Sequence, residues 1–190
     1  MLEKYWETIQ FDPKKKQKCE LDPFQFQLVR MDADLIPELS GMVCIGVDPG
    51  IHFGITILHE TWVYVLWGSL PKLLHFPGLE AFALASSLIK ADWQLQAIFK
   101  MGLKYVVRVE GPAYSERVGQ PLLEQIRFGF AHGFVQHYGD TKYMQPNTAR
   151  KLAFGSANKT GKDIWINLNP NAADSLGLAI AAAEQCLSRS

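Results

Sequence analysis

The chain has 190 residues, of which 48% are hydrophobic and 20% charged, and its formal net charge is zero. This length and composition suffice for one substantial core and are short for two full domains. The uncharged apolar stretches fall below the roughly 18 to 20 residues that a membrane span needs, and the first residues lack the pattern of a secretory signal. We therefore expect a cytoplasmic protein that does not cross a membrane.

The cysteines predict no covalent framework. Cys19, Cys44 and Cys186 are odd in number and far apart, which argues against disulfides and against a structural zinc site. Cys44 lies inside an apolar run, where a thiol acts as a small hydrophobic side chain.

The first 41 residues form an N-terminal extension of unknown role, and residues 42–190 form the main domain. In the extension, Phe24, Phe26 and Leu28 alternate like a strand with one buried face. The extension is therefore a linker, an added strand or an arm that contacts a partner.

The main domain begins with three close apolar runs, which predict an antiparallel meander of strands at 43–47, 55–58 and 62–67. Apolar residues at helical spacing then predict one long helix over 79–100.

Strands and helices alternate in the second half of the chain. The predicted order is a strand at 106–110, a helix at 121–138, a short strand at 142–145, a helical turn at 146–154 and an Ala-rich helix at 171–187. This arrangement predicts an α/β fold, with a mixed five-stranded sheet flanked by helices.

Three acids stand where predicted elements begin or end. Asp48 ends the first strand before a Pro-Gly turn, Glu110 closes the fourth strand, and Asp174 lies in the last helix, three residues after Asn171. Mg²⁺ prefers oxygen ligands, and two such ions roughly 4 Å apart catalyse phosphodiester hydrolysis. The pattern indicates a divalent-metal nuclease with one altered ligand.

Each of these residues also has an ordinary structural explanation. Asp48 suits a turn, Asp174 suits the first turn of a helix because of the helix dipole, and Asn171 suits a helix cap. Residues 112–170 carry seven basic and four acidic residues, either a region that steers a polyanion or a common solvated surface.

Three segments taken together, Ile45-Gly-Val-Asp-Pro-Gly50, Val107-Arg-Val-Glu-Gly-Pro112 and Ala172-Ala-Asp-Ser-Leu-Gly-Leu-Ala-Ile180, resemble the RuvC-type Holliday-junction resolvases in order and spacing. The likeness covers roughly residues 42–188. It implies a ribonuclease H-like fold, a homodimer from a bacterial or phage-infected cell, and paired nicks across a four-way DNA junction. It also implies two Mg²⁺ ions per active site, with Mn²⁺ as a substitute.

The resemblance assigns roles to particular residues. The catalytic and metal-binding set is Asp48, Glu110, Asn171 and Asp174. The expected DNA contacts are Tyr114, Arg117, Lys159 and Lys162. The dimer interface is expected at Ile126, Gly129, Phe130 and Gly133, where two glycines one turn apart indicate close approach by a partner helix.

Asn171 departs from the family, which usually carries Asp or sometimes His at this position. An amide oxygen still coordinates Mg²⁺, but it brings no charge, so the second ion should bind more weakly and cleavage should be impaired. We interpret Asn171 as an Asp→Asn change that traps substrate uncut, and natural divergence is the alternative.

Other functions remain open at this point. The chain is otherwise a non-catalytic module that binds junctions, or a broader nuclease of the same fold that cuts flaps and branched DNA. Actin-like phosphotransferases also start from a strand and an Asp-x-Gly turn, but they carry a second phosphate loop that is not found in this sequence.

Overall fold

The computed structural model describes residues 17–18, 25–30, 37–60, 62–70, 76–91, 103–112, 121–138 and 140–188. The strands are β1 (Gln17–Lys18), β2 (Gln25–Arg30), β3 (Met42–Asp48), β4 (His52–Leu58), β5 (Trp62–Ser69), β6 (Lys104–Glu110) and β7 (Asp140–Met144). The helices are α1 (Pro77–Ala91), α2 (Pro121–Tyr138), α3 (Pro146–Phe154), α4 (Gly161–Ile164) and α5 (Pro170–Leu187), with a short 3-10 turn at Pro37–Leu39.

The strands form one mixed sheet in the order β1-β2-β5-β4-β3-β6-β7. The meander β3-β4-β5 is antiparallel, whereas β6 runs parallel to both β3 and β7. Strands β5, β4, β3, β6 and β7 form a mixed five-stranded sheet with flanking helices, which confirms the predicted fold class. Outside these five, β2 pairs with β5 and β1 pairs with β2, so part of the N-terminal extension adds strands to the same sheet.

Helices cover both faces of the sheet, because its central strands are apolar on both sides. Val43, Ile45 and Val47 share one buried cluster with residues of α1 and α2. Cys44 points into the opposite cluster, which contains the small side chains of α5. The alternation along β3 thus separates two cores, and Cys44 is buried as its sequence context predicted.

Helix α5 lies almost directly on the sheet. A Cβ added at Gly46 in β3 would stand 2.0 Å from the Ser175 carbonyl oxygen. The Ser175 hydroxyl is also hydrogen-bonded to Thr56 of β4, at 2.8 Å between buried oxygens. Glycine in the strand and small residues in the helix therefore bring the first turns of α5 against β3 and β4.

Helices α1 and α2 pack against each other just as closely. A Cβ at Gly129 would stand 2.1 Å from the Gly78 carbonyl oxygen, and one at Gly133 would stand 2.7 Å from the Ala85 Cβ. The close approach that the two glycines predicted is therefore made by a helix of the same chain.

A buried arginine joins β6, β7 and α5. The Arg108 side chain is 2% exposed and forms an ion pair with Asp140 at 2.9 Å. It also donates to Gln185 Oε1 and to the backbone oxygens of Val107 and Asp140. The guanidinium is well supplied with acceptors, as a buried charge requires.

The predicted helix over 79–100 is described only in part. Helix α1 is described to Ala91, and the remainder of the predicted helix to residue 100 lies outside the described residues. Helix α4 was not predicted. No described helix is long and apolar enough to cross a membrane.

Candidate active site

Asp48 and Glu110 meet because the strands that carry them are parallel neighbours. Each is the last residue of its strand, β3 or β6, and the ladder pairs Val47 with Val109 just before them. Parallel strands end at the same edge of a sheet, so the two carboxyl groups emerge side by side. Their side chains are hydrogen-bonded to each other.

Asp174 reaches the same edge from α5. The Asn169 side chain caps this helix, accepting from the backbone N–H groups of Asn171 at 3.0 Å and Ala172 at 3.4 Å. The cap starts the helix over β4, with the Asn171 backbone against Gly54. Asp174 follows one turn later, on the same side of the helix as Asn171.

The electrostatics of the two strand-end acids show how tightly the three carboxyl groups are grouped. Burial raises the pKa of Asp48 well above its ordinary value, and the negative charges of Glu110 and Asp174 raise it further. Burial also raises the pKa of Glu110. Like charges held together in a partly dry site favour the protonated form of Asp48 and Glu110, and a nearby cation would oppose this effect.

The donors suit a hard cation in kind. Asp48, Glu110 and Asp174 supply carboxylate oxygens and Asn171 an amide oxygen, the ligands that Mg²⁺ prefers. The three neighbouring carboxylates repel one another, and a divalent cation would reduce this repulsion. As the side chains stand, however, the described residues contain no group of three or more His, Cys, Asp or Glu side chains arranged to hold a metal ion.

Asp174 has a different partner in this structure. Its Oδ2 forms an ion pair with Lys162 Nζ at 3.0 Å. Lys162 lies on α4, and Gly161 before it packs so tightly on α5 that an added Cβ would stand 2.1 Å from the Ala173 carbonyl oxygen. Lys162 was expected to contact DNA, and the structure places it against a carboxylate of the candidate site.

Arg150 lies beside the candidate site, although the sequence indicated it only as part of a basic region. It lines a small cavity of about 20 Å³ together with Glu110 and Asp174. Its positive charge lowers the pKa of Glu110, against the larger effect of burial. The signal for this residue was weak, because a single arginine on an amphipathic helix is common.

One of the other three predicted DNA contacts lies within the described residues. Lys159 is exposed, three residues before Lys162. Tyr114 and Arg117 lie outside the described residues.

The four predicted interface residues face the inside of the protein. Ile126 and Phe130 are fully buried. Gly129 and Gly133 lie against α1 of the same chain. In this arrangement, none of the four is available to a second chain.

Comparisons with known proteins identify the fold. A scan against protein-family models finds no match, and no curated protein matches the chain. A solved structure of Thermus thermophilus RuvC matches with a TM-score of 0.53 and 15% identity, over 78% of this chain and 97% of that one.

A second structure, Thermus thermophilus RuvC in complex with Holliday junction substrate, matches with a TM-score of 0.52 and 16% identity, over 78% of this chain and 96% of that one. At these identities the likeness shows the fold. The resemblance to the RuvC-type resolvases is thereby confirmed at the level of the ribonuclease H-like fold.

Proposed function

We propose that this chain is a structure-selective DNA endonuclease that resolves four-way junctions by paired, Mg²⁺-dependent nicks. The observation that carries the proposal is the hydrogen-bonded pair Asp48 and Glu110 at the ends of adjacent parallel strands, with Asp174 close enough to shift the pKa of both. This group lies on a RuvC-like sheet, and one similar structure contains a Holliday junction.

The chain's own residues have distinct roles in this proposal. Divalent cations at the site would activate the attacking water and neutralise charge on the phosphate. Asp48 and Glu110 would hold such a cation from the two strands, and Asp174 and Asn171 would hold it from α5. Partial burial of the acids keeps bulk water from screening these charges, which strengthens every electrostatic contact there.

Arg150 is suited to binding a phosphate group of the substrate. Its guanidinium is always protonated and matches the geometry of phosphate oxygens. Because Arg150 lines the same small cavity as Glu110 and Asp174, a phosphate bound outside this cavity would meet the Arg150 guanidinium beside the acids. Lys159, which is exposed, and Arg117 would contribute backbone contacts, which weaken as salt concentration rises.

Two copies of the active site suit a junction in which two strands are cut, so we propose a homodimer. The exposed apolar side chains of α2 are the better interface candidates, since Phe128 is 63% exposed and Val135 is 49% exposed. Phe76 and Leu79, at the start of the neighbouring α1, are 68% and 62% exposed. We propose that these side chains form one apolar surface across both helices.

We keep the division between residues 1–41 and 42–190 as a proposal. Strands β1 and β2 lie beyond β5, whereas the acids lie at β3 and β6. We therefore propose that the extension enlarges the sheet away from the active site and takes no part in cleavage.

Asn171 favours a second candidate, a module that binds junctions without cutting them. The neutral amide stands where a further carboxylate would strengthen cation binding, which agrees with an impaired enzyme as well as with a binding module. Restoring the charge separates the two, because an impaired enzyme gains activity from it and a binding module does not.

The test compares Asn171→Asp with the unaltered chain on a mobile four-way junction, a flap and a linear duplex, with and without Mg²⁺. We expect Asn171→Asp to cut the junction in preference to the other two substrates. Equal cutting of all three would replace junction resolution with general nuclease activity, and binding without any cutting would favour the non-catalytic module.

A further inference from the structure

The ion pair between Lys162 and Asp174 places a protein cation inside the proposed metal site. Nζ lies 3.0 Å from the Asp174 Oδ2, and this carboxylate is one of the three expected to hold cations. Lys162 is half exposed and Asp174 only 21% exposed, so the carboxylate is the more buried partner of the pair.

The position of Lys162 is fixed by the surrounding backbone. Thr160 and Asp163 form a capping box around the start of α4, in which Asp163 Oδ2 accepts from the Thr160 N–H at 2.9 Å and from its hydroxyl at 2.7 Å. At Gly161, the backbone touches Ala173, directly before Asp174. An exposed ion pair contributes little by itself, but here two independent backbone constraints hold the lysine beside its partner.

The charges of the described groups favour one divalent cation over two. Asp48, Glu110 and Asp174 carry three negative charges when ionised. Lys162, paired with Asp174, and Arg150, in the same cavity, add two positive charges. Arg127 also acts on Glu110, but its charge is offset by its ion pair with Glu124. One divalent cation would leave the site with one positive charge, and a second would leave it with three. Asn171, the remaining ligand position, adds no negative charge to offset this excess.

We propose that Lys162 serves as the second cation of this site, so that the substrate-free protein binds one divalent ion per protomer. This inference rests on the proposed function. The single ion is held by Asp48 and Glu110, where neighbouring carboxylates repel each other most. Lys162 neutralises the charge of Asp174.

The test counts bound Mn²⁺ directly, without measuring cleavage. The metal-free protein is titrated with Mn²⁺, and free Mn²⁺ is followed by its electron paramagnetic resonance signal. We expect one tight Mn²⁺ per protomer in the unaltered chain. Lys162→Met should bind a second Mn²⁺, at least roughly tenfold more tightly than the unaltered chain binds any second ion. Lys162→Arg, which keeps the charge, should bind one.

Lys159→Met is the matched control. Lys159 is also exposed and lies three residues earlier in the same segment, so its removal changes the net charge equally. We expect this variant to bind one Mn²⁺, as the unaltered chain does. Equal melting temperatures of the variants would show that each is folded.

The outcomes separate this inference from the proposed function. Two equally tight ions in the unaltered chain, or one ion in Lys162→Met, would overturn the role of Lys162 and leave a metal site in place. If Asn171→Asp, which keeps Lys162, binds a second tight ion, then residue 171 and not Lys162 sets the number of bound ions. That result would also overturn the role of Lys162. Binding of no Mn²⁺ by any variant would overturn the metal-dependent function as well.

Discussion

The backbone of Asn171 lies so close to Gly54 that a Cβ added to the glycine would stand 2.1 Å from the Asn171 carbonyl oxygen. Gly54 is the ladder partner of Asp48. The first turn of α5 is therefore positioned directly over the strand pair that carries the first acid, and the distance between Asp48 and Asp174 depends on this contact.

Gly54→Ala should displace the first turn of α5. Because the clash is with backbone atoms, we expect a loss of about 1 to 3 kcal/mol in the free energy of unfolding. Gly177→Ala on α5 is the control, since its Cβ would meet only the tip of the Phe154 ring, at 2.9 Å, and alanine favours a helix. Urea denaturation measures both, and equal losses would contradict the close packing described at Gly54.

The raised pKa values of Asp48 and Glu110 predict a pH-dependent stability. Because the pKa of each carboxyl is raised in the folded protein, its contribution to the free energy of unfolding is fully present below about pH 4. This contribution is lost as the pH rises through the higher pKa of the folded state. In metal-free buffer, Asp48→Asn should therefore be more stable than the unaltered chain at pH 8, with a smaller advantage at pH 5. Parallel pH profiles of the melting temperature would show that the two acids are not coupled.

Divalent cations should offset the same repulsion. At a concentration 100-fold above the dissociation constant, Mg²⁺ should stabilise the unaltered chain by about 2.7 kcal/mol, a rise of several degrees in melting temperature. Asp48→Asn should lose most of this rise, while Asp140→Asn, away from the site, should keep it. If Mg²⁺ raises the melting temperature of Asp48→Asn as much as that of the unaltered chain, the ion binds elsewhere.

The ion pair between Arg108 and Asp140 predicts the opposite pH dependence. Although burial opposes it, hydrogen bonds from Lys142 and Arg108 hold the pKa of Asp140 below its usual value. Its contribution is present above about pH 4 and is lost as the pH falls through the lower folded value. Asp140→Asn should cost about 1 to 3 kcal/mol at pH 7, because the buried guanidinium loses a charged acceptor, and less at pH 3. A cost that does not change with pH would contradict this.

The two faces of α2 predict different effects of substitution. Phe128→Ser alters an exposed side chain and should weaken the dimer with little loss of stability. Ile126→Ala, on the buried face, should cost about 2 to 5 kcal/mol of stability. Light scattering coupled to size exclusion measures the mass of each. A dimer of Phe128→Ser as tight as that of the unaltered chain would place the interface elsewhere.

The sequence predicted the parts of the fold that depend on buried strands and on the residues at the ends of those strands. Apolar runs bounded by turn glycines located the meander and β6. Asp48 and Glu110 were expected together as metal ligands, whereas the parallel pairing of β3 with β6 that places them side by side was not predicted. The position of Asp174 near the start of α5 was also predicted, because the Ala-rich run indicated a helix there.

Other features depend on long-range packing that sequence periodicity does not carry. Helix α4 is too short for a periodic signal, so the contact between Lys162 and Asp174 could not be predicted. The spacing of Gly129 and Gly133 shows that a helix approaches closely, but it does not show whether that helix belongs to the same chain. Arg150 was indistinguishable from other basic residues until α3 was placed beside Glu110.

The central claim is that these acids form the active site of a junction-cutting nuclease. The most direct measurement maps nicks on a labelled four-way junction incubated with Mg²⁺ and excess Asn171→Asp protein, with Asn171→Asp/Glu110→Gln as the matched control. The account predicts symmetrical nicks in two opposing strands for the first protein, and binding without nicks for the second. Equal nicking by both proteins, or no nicking by either, would contradict it.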